Sequence, residues 1–366
     1  MTTALREAAN LGQSMWLDTI SRGLLKSGGL DEWIGKGVRG VTTNPSIFEQ
    51  AIAKSSDYDS EIEGMAGAGA GAEKIYESLT MGEVGAAADA FRRVYDESGT
   101  DGFVSLEVNP LLASDAVSTL SEAKRLFAAL SRPNVMIKIP ATHEGVQAIE
   151  DCTAEGINVN ATLIFSVAQY ESAASAYVRG LTRRSEAGLP VKGVASVASV
   201  FVSRIDTAVD KLLSAMPQQG EAKPLIGHIA VDNAKAAYER FKSIFSPARA
   251  EWRALAEKGA AVQRPLWAST GTKNAAYSDV LYVESLIGRD TVNTVPPGTL
   301  TAFIDHGRVS PALESGAEES LARLAKLAEL GVDLDSVCAS LLKDGTAAFV
   351  SAFESLMASI AAKAKG

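Results

Sequence analysis

The chain has 366 residues, 46% hydrophobic and 22% charged, which suits a globular protein with a large core and excludes a disordered or fibrous one. A net charge of −9 leaves no basic footprint, so neither nucleic acid nor an anionic membrane surface is expected as a partner, and any anionic substrate must be held by a few local cations. Cys152 and Cys338 lie far apart without metal-ligand spacing, which argues against a disulfide framework or zinc site and fits a reducing compartment.

Short β-branched runs recur at long spacing with helix-like stretches between them, the pattern of parallel βα units rather than hairpins. The first, Ser14–Ile20, carries Asp18 after Trp16 and Leu17. The second, Val38–Thr43, contains Thr42 and runs into Asn44 and Pro45. The small-residue segment Gly64–Ala72, inside an insertion at about 50–100, reads as a flexible connection. The third run, Gly102–Val108, contains Glu107. An amphipathic stretch, Ser114–Leu130, leads to the fourth, Asn134–Ile139, which holds Lys138. Alternation in the fifth, Asn158–Phe165, puts Asn158, Asn160 and Thr162 on one side. Beyond a helical stretch, Val167–Leu181, the sixth run, Gly193–Val202, presents Ser196, Ser199 and Phe201 and is followed by Arg204.

A second insertion, at about 205–263, is helical in pattern with a break at Met216–Gly220. The seventh run, Arg264–Ser269, continues into Thr270, Gly271, Thr272 and Lys273. A helix-like stretch, Ser278–Leu286, precedes the eighth, Asp290–Val295. From about 311 to 366 the chain reads as terminal helices, with Leu321, Leu324, Leu327 and Leu330 expected on one face against the rest of the fold. No apolar run reaches about 18 residues and no leader pattern opens the chain, so the expected location is the cytoplasm.

Eight strands alternating with helices predict a closed (β/α)8 barrel, one α/β domain over residues 1–366, with insertions beyond the usual size of about 250 residues. An open doubly wound sheet is the alternative. No G-x-G-x-x-G turn follows the first strand, although only dinucleotide binding needs one.

Lys138 sits among Met136, Ile137 and Ile139, where apolar neighbours strip water from an ammonium and favour the neutral amine. Such an amine is a nucleophile able to form a Schiff base with a ketone or aldehyde. A strand-end lysine can also snorkel to solvent or pair with a carboxylate. Seven successive strands nevertheless deliver polar groups to one rim, where barrels keep their chemistry. A mechanism assembles from these parts. Lys138 attacks the ketone, Glu107 shuttles protons through a water, and Asp18 takes a hydroxyl proton as a carbon–carbon bond breaks. Asn44 and Asn160 can hydrogen-bond sugar hydroxyls, Arg204 can hold a phosphate bidentately, and Lys273 is a second cation where barrels often bind phosphate.

Over nearly its whole length the chain resembles transaldolase, particularly the longer bacterial form. The resemblance rests on Trp16-Leu17-Asp18, on Gly40-Val41-Thr42-Thr43-Asn44-Pro45-Ser46, on Ser105-Leu106-Glu107-Val108, on Ile137-Lys138-Ile139-Pro140-Ala141-Thr142 and on Asn158 through Ser166. It implies a (β/α)8 barrel that moves a dihydroxyacetone unit from sedoheptulose 7-phosphate to glyceraldehyde 3-phosphate, with no cofactor or metal and with a possible homodimeric assembly. By the same resemblance Lys138 is the Schiff-base lysine, Asp18 the acid/base and Glu107 the water-activating group. Thr162 stands with this catalytic set; Thr42, Asn44, Asn160, Ser199 and Phe201 match the sugar-contacting region, and Arg204 matches the phosphate-site arginine. Shorter relatives carry Ser-x-Arg after the seventh strand. Here Ser269 matches but the arginine position does not, and Lys273 is expected to replace that charge from two residues downstream. The nearest alternative activity is that of a fructose 6-phosphate aldolase, whose members resemble this chain but carry Gln and Tyr where it has Glu107 and Phe201. A barrel that has lost catalysis and only binds is the third reading.

Overall fold

The computed structural model describes residues 3–365. Eight parallel strands close into a barrel in sequence order. They are β1 (Gln13–Leu17), β2 (Gly40–Val41), β3 (Phe103–Glu107), β4 (Val135–Pro140), β5 (Val159–Ile164), β6 (Ser196–Phe201), β7 (Gln263–Ala268) and β8 (Thr291–Val295). β8 pairs with β1 from Gln13↔Thr291 to Leu17↔Val295, which shuts the sheet and leaves no open edge. All eight expected strands are present, and the doubly wound alternative is excluded.

Strands buried on both faces read as continuous apolar runs, which is why they stand out in the sequence. Every residue of β4 and β5 is buried. The interior packs as a solid core, with Trp16 fully buried inside β1. Gly40 in β2 exists for that ring: a Cβ there would lie 2.6 Å from Trp16 Cδ2 and 2.8 Å from the Phe103 carbonyl oxygen. Gly40→Ala is expected to destabilise the fold by about 1–3 kcal/mol through overpacking, measured by urea unfolding; an unchanged midpoint would contradict this packing. At the N-terminal end of the barrel Arg264 pairs with Asp101 at 3.0 Å and donates to Ser14 Oγ, also at 3.0 Å, closing the end opposite the chemistry.

Three expectations need correction. The segment Gly64–Ala72 is half helix: the helix Asp59–Gly67 ends within it, residues 68–71 make a turn with Gly69 at φ +84, and the helix Ala72–Ala90 begins at its end. Alanine and glutamate favour helix strongly enough to override the scattered exposed glycines. Within Ser278–Leu286 only Leu281–Ser285 is helical. Third, the leucine face does not form: Leu321 is 56% exposed while Leu327 is 1% exposed. Steps of three residues fall roughly 60° short of a full turn each, so four leucines spread around half the helix. The helix Ala317–Glu329, which Leu330 follows as its C-cap, packs on the helix Ile229–Ile244 instead of on the strands, and Arg323 there pairs with the buried Asp232 at 2.6 Å.

The last helix, Leu334–Lys363, is capped by Asp333, whose side chain accepts from the Ser336 N–H. It is long enough to cross a membrane, and its most apolar 18-residue window has a mean hydropathy of 1.3. Its buried residues, among them Gly345, Phe349 and Phe353, lie instead against the segments that follow β2 and the helix Ser203–Ser214, across the C-terminal mouth of the barrel.

Candidate active site

Parallel pairing sets the central residues side by side: Glu107 faces Lys138 across β3 and β4, and Lys138 faces Asn160 across β4 and β5. Lys138 is 4% and Glu107 5% exposed. Lys138 Nζ donates to the Thr43 carbonyl oxygen at 3.2 Å and lies 3.7 Å from Glu107 Oε2, an ion-pair distance rather than a hydrogen bond. Neither Glu107 oxygen has a hydrogen-bond partner. Burial therefore pushes the Glu107 carboxyl up to about 7, against the opposing charge of Lys138. At neutral pH this group can both give and take a proton, as an acid/base catalyst must.

The same rise has a consequence for stability. The folded protein favours protonated Glu107 more than the unfolded chain does, so this group's contribution is complete below the ordinary value of 4.5 and is lost as pH rises through about 7. Glu107→Gln is expected to flatten the urea midpoint between those pH values relative to the unaltered protein. Parallel profiles would contradict the assignment.

Asp18 lies one residue past β1, its N–H bonded to the Val295 carbonyl and its Oδ1 accepting from Thr42 Oγ1 at 2.7 Å. Thr42 Oγ1 is also 2.5 Å from Thr294 Oγ1, so three strand ends share one polar chain. Desolvation raises the Asp18 pKa, and the charges of Lys138 and Lys273 with the Thr42 bond oppose it. A cavity of about 150 Å³ brings together Asp18, Thr42, Asn44, Lys138, Ser199, Phe201, Arg204, Ser269 and Lys273, nine of the twelve residues singled out in the sequence. Asn44 uses its Oδ1 to cap the short helix Pro45–Phe48 through the Ile47 N–H at 2.9 Å, leaving its Nδ2 as the group able to meet a ligand.

The other three residues do not line this cavity. Asn160 is fully buried, its amide fixed between Ser105 Oγ at 3.0 Å and Ser199 Oγ at 2.7 Å. Thr162 is fully buried with an unpartnered Oγ1. It precedes Leu163, which adopts φ +57 where the β5–β6 register shifts between Ala161 and Ile164. A branched residue in that conformation is uncommon, and such bulges re-aim strand residues beside sites. Glu107 reaches the site through Lys138 and also borders a separate cleft of about 220 Å³ on the outside of β3.

The sequence reading missed Ser46, Thr294 and Phe349, which also line the cavity. Thr294 was visible by alternation as a polar residue at the end of β8. Nothing marked Phe349, which comes from the C-terminal helix and places its ring centroid 5.8 Å from Lys138 Nζ. That helix passes so closely that a Cβ on Gly345 would lie 3.1 Å from Leu163 Cδ2 and 3.5 Å from a terminal nitrogen of Arg204. Arg204 is half-buried with its guanidinium 5.5 Å from the Phe201 ring centroid, and desolvation lowers its pKa with no carboxylate opposing. Among the described residues no cluster of His, Cys, Asp or Glu is placed to hold a metal ion.

A closed (β/α)8 barrel whose cavity gathers Lys138 and Asp18, with Glu107 against Lys138 and Arg204 and Lys273 in the lining, is the arrangement of an enzyme able to take a carbonyl compound with an anionic group. Comparison with known proteins agrees. The family model described as transaldolase/fructose-6-phosphate aldolase matches residues 15–360. A protein named transaldolase 2 from Nostoc sp. (strain PCC 7120) is 45% identical over 373 residues, covering 99% of this chain and 97% of that one. A transaldolase from Thiobacillus denitrificans is 46% identical over 97% of this chain and 99% of its own, and transaldolase 1 from Streptomyces coelicolor is 45% identical over 98% and 94%. The chain belongs to the transaldolase/fructose-6-phosphate aldolase family.

Proposed function

We propose that this protein is a transaldolase, moving a dihydroxyacetone unit from sedoheptulose 7-phosphate to glyceraldehyde 3-phosphate to give erythrose 4-phosphate and fructose 6-phosphate. The observation that carries the reading is the buried Lys138–Glu107 pair beneath a cavity walled by Asp18 and rimmed by Arg204 and Lys273. The Lys138 amine, having given up its proton, attacks the ketone carbon, and Glu107 in its acid form supplies the proton with which the carbinolamine hydroxyl leaves as water. Asp18 then takes the proton of the hydroxyl beyond the bond to be cleaved. That bond breaks, its electron pair enters the iminium to form an enamine, and the first aldose departs. The acceptor aldehyde is attacked by the enamine, Asp18 returns its proton to the new hydroxyl, and water releases the product ketose from Lys138.

The split between transferase and aldolase turns on whether the enamine is protonated before the acceptor arrives. Phe201 offers no hydroxyl, and among the described residues the cavity lining contains no tyrosine or histidine. An enamine there is left for an aldehyde. With fructose 6-phosphate alone no free dihydroxyacetone should accumulate, and adding erythrose 4-phosphate should start turnover. Steady release of dihydroxyacetone without acceptor would instead establish the aldolase.

A further inference from the structure

The two rim cations come from different segments. Arg204 opens the helix Ser203–Ser214 after β6, whereas Lys273 sits in the irregular chain after β7, exposed and with no strand or helix of its own. Two cations on separate segments can both hydrogen-bond one phosphate only if their spacing is held, because hydrogen bonds weaken steeply with distance and angle. The connection between the segments is polar and specific. Tyr282, 1% exposed, donates its hydroxyl to Asp206 Oδ2 at 2.9 Å, and Tyr277 donates to Asp210 Oδ2 at 2.5 Å. Asp206 and Asp210 stand one turn apart on the helix whose second residue is Arg204; Tyr277 lies in the irregular segment that carries Lys273, and Tyr282 on the short helix Leu281–Ser285 that ends it. Each carboxylate is held from behind by a backbone N–H, Asp206 by Ala230 at 2.7 Å and Asp210 by Gly227 at 2.9 Å. Desolvation lifts the Asp206 carboxyl to about 6, and the bonds from Ala230 and Tyr282 counter it. A tyrosine donating to a buried carboxylate makes a strong bond with a set direction.

We propose that the Tyr277–Asp210 and Tyr282–Asp206 pairs are positioning residues that fasten the Lys273 loop to the Arg204 helix and thereby set the distance between the two cations that receive the substrate phosphate. The pairs touch no part of the cavity. Their role rests on the reading of Arg204 and Lys273 as the phosphate subsite. A purely structural role would lower thermal stability and kcat together, whereas a positioning role weakens phosphate binding selectively and acts through Lys273.

The test compares Tyr277→Phe, Tyr282→Phe and Lys273→Ala in the full-length protein, reading KM for fructose 6-phosphate, kcat, and the inhibition constant of inorganic phosphate. Both tyrosine variants should raise KM and the phosphate constant roughly tenfold, the scale of one lost hydrogen bond to a charged group, with kcat within about twofold. Tyr277→Phe should add little in a Lys273→Ala background, because it acts through that lysine. A KM raised by Lys273→Ala but unmoved by either tyrosine variant, or full additivity of the double variant, overturns the clamp alone. An unmoved KM in Lys273→Ala removes Lys273 from the subsite and the clamp with it.

Discussion

Lys138→Met should lower turnover by at least about 10⁴-fold while leaving the fold intact, the scale expected when a covalent nucleophile is deleted. Methionine keeps the length and apolar character of the stem, and Met136, two residues earlier in β4, is already buried in the barrel. What disappears is the amine alone. The substitution removes the one cationic group that faces Glu107, whose oxygens already lack hydrogen-bond partners. Glu107 should respond by binding a proton more tightly, so the variant remains folded at neutral pH as judged by circular dichroism. A folded variant that retained more than a hundredth of the original rate would show that the nucleophile lies elsewhere.

Arg204→Ala should raise KM for phosphorylated sugars between roughly tenfold and a hundredfold, with a much smaller change in kcat, measured by steady-state kinetics. The guanidinium is half-buried, faces the Phe201 ring and meets no opposing carboxylate. An unpaired cation at that depth is poorly solvated before the ligand arrives, and an incoming phosphate restores what burial removed. Arg204→Lys should recover only part of the loss, because an ammonium cannot present two parallel N–H donors. A fall in kcat with KM unchanged would place Arg204 in the chemistry instead of in binding. Gly345 bears on the neighbouring packing: a Cβ there would press on Leu163 Cδ2 at 3.1 Å, while it would meet the guanidinium only in ordinary contact at 3.5 Å.

These expectations draw on a site whose elements were unequally legible. The strands announced themselves because parallel strands covered on both faces are apolar throughout, and a polar residue in such a run is conspicuous; Lys138 and Glu107 were found in this way. β2 shrank from an expected six residues, Val38–Thr43, to the pair Gly40–Val41, since Thr42 and Thr43 turn their hydroxyls to Asp18 and to the Ser105 carbonyl. Asn160 and Thr162 were read as sharing one side of β5 with Asn158, but depth is not encoded in alternation, and both are fully buried and absent from the cavity lining. The left-handed backbone of Leu163 and Ser269, at φ +57 and +56, was invisible because neither is a glycine or an asparagine.

The largest omission was the course of the last helix. Its helicity was plain from composition, but the residue it delivers to the cavity, Phe349, is one apolar side chain among many in an alanine-rich stretch. Contact between chain segments so distant in sequence is a property of the packed fold, and local periodicity carries no record of it. The reverse holds for Lys273: it was named for its charge and place after β7, and the structure sets it at the cavity rim, where its charge acts on Asp18.

The central claim is that the Lys138 amine forms an iminium with the ketose. Borohydride reduction in the presence of fructose 6-phosphate, followed by peptide mass mapping, reads this directly. The account predicts one stable dihydroxyacetone adduct, on Lys138, formed only when both sugar and borohydride are present. An adduct on any other lysine, or full activity after reduction with no adduct at all, would contradict it.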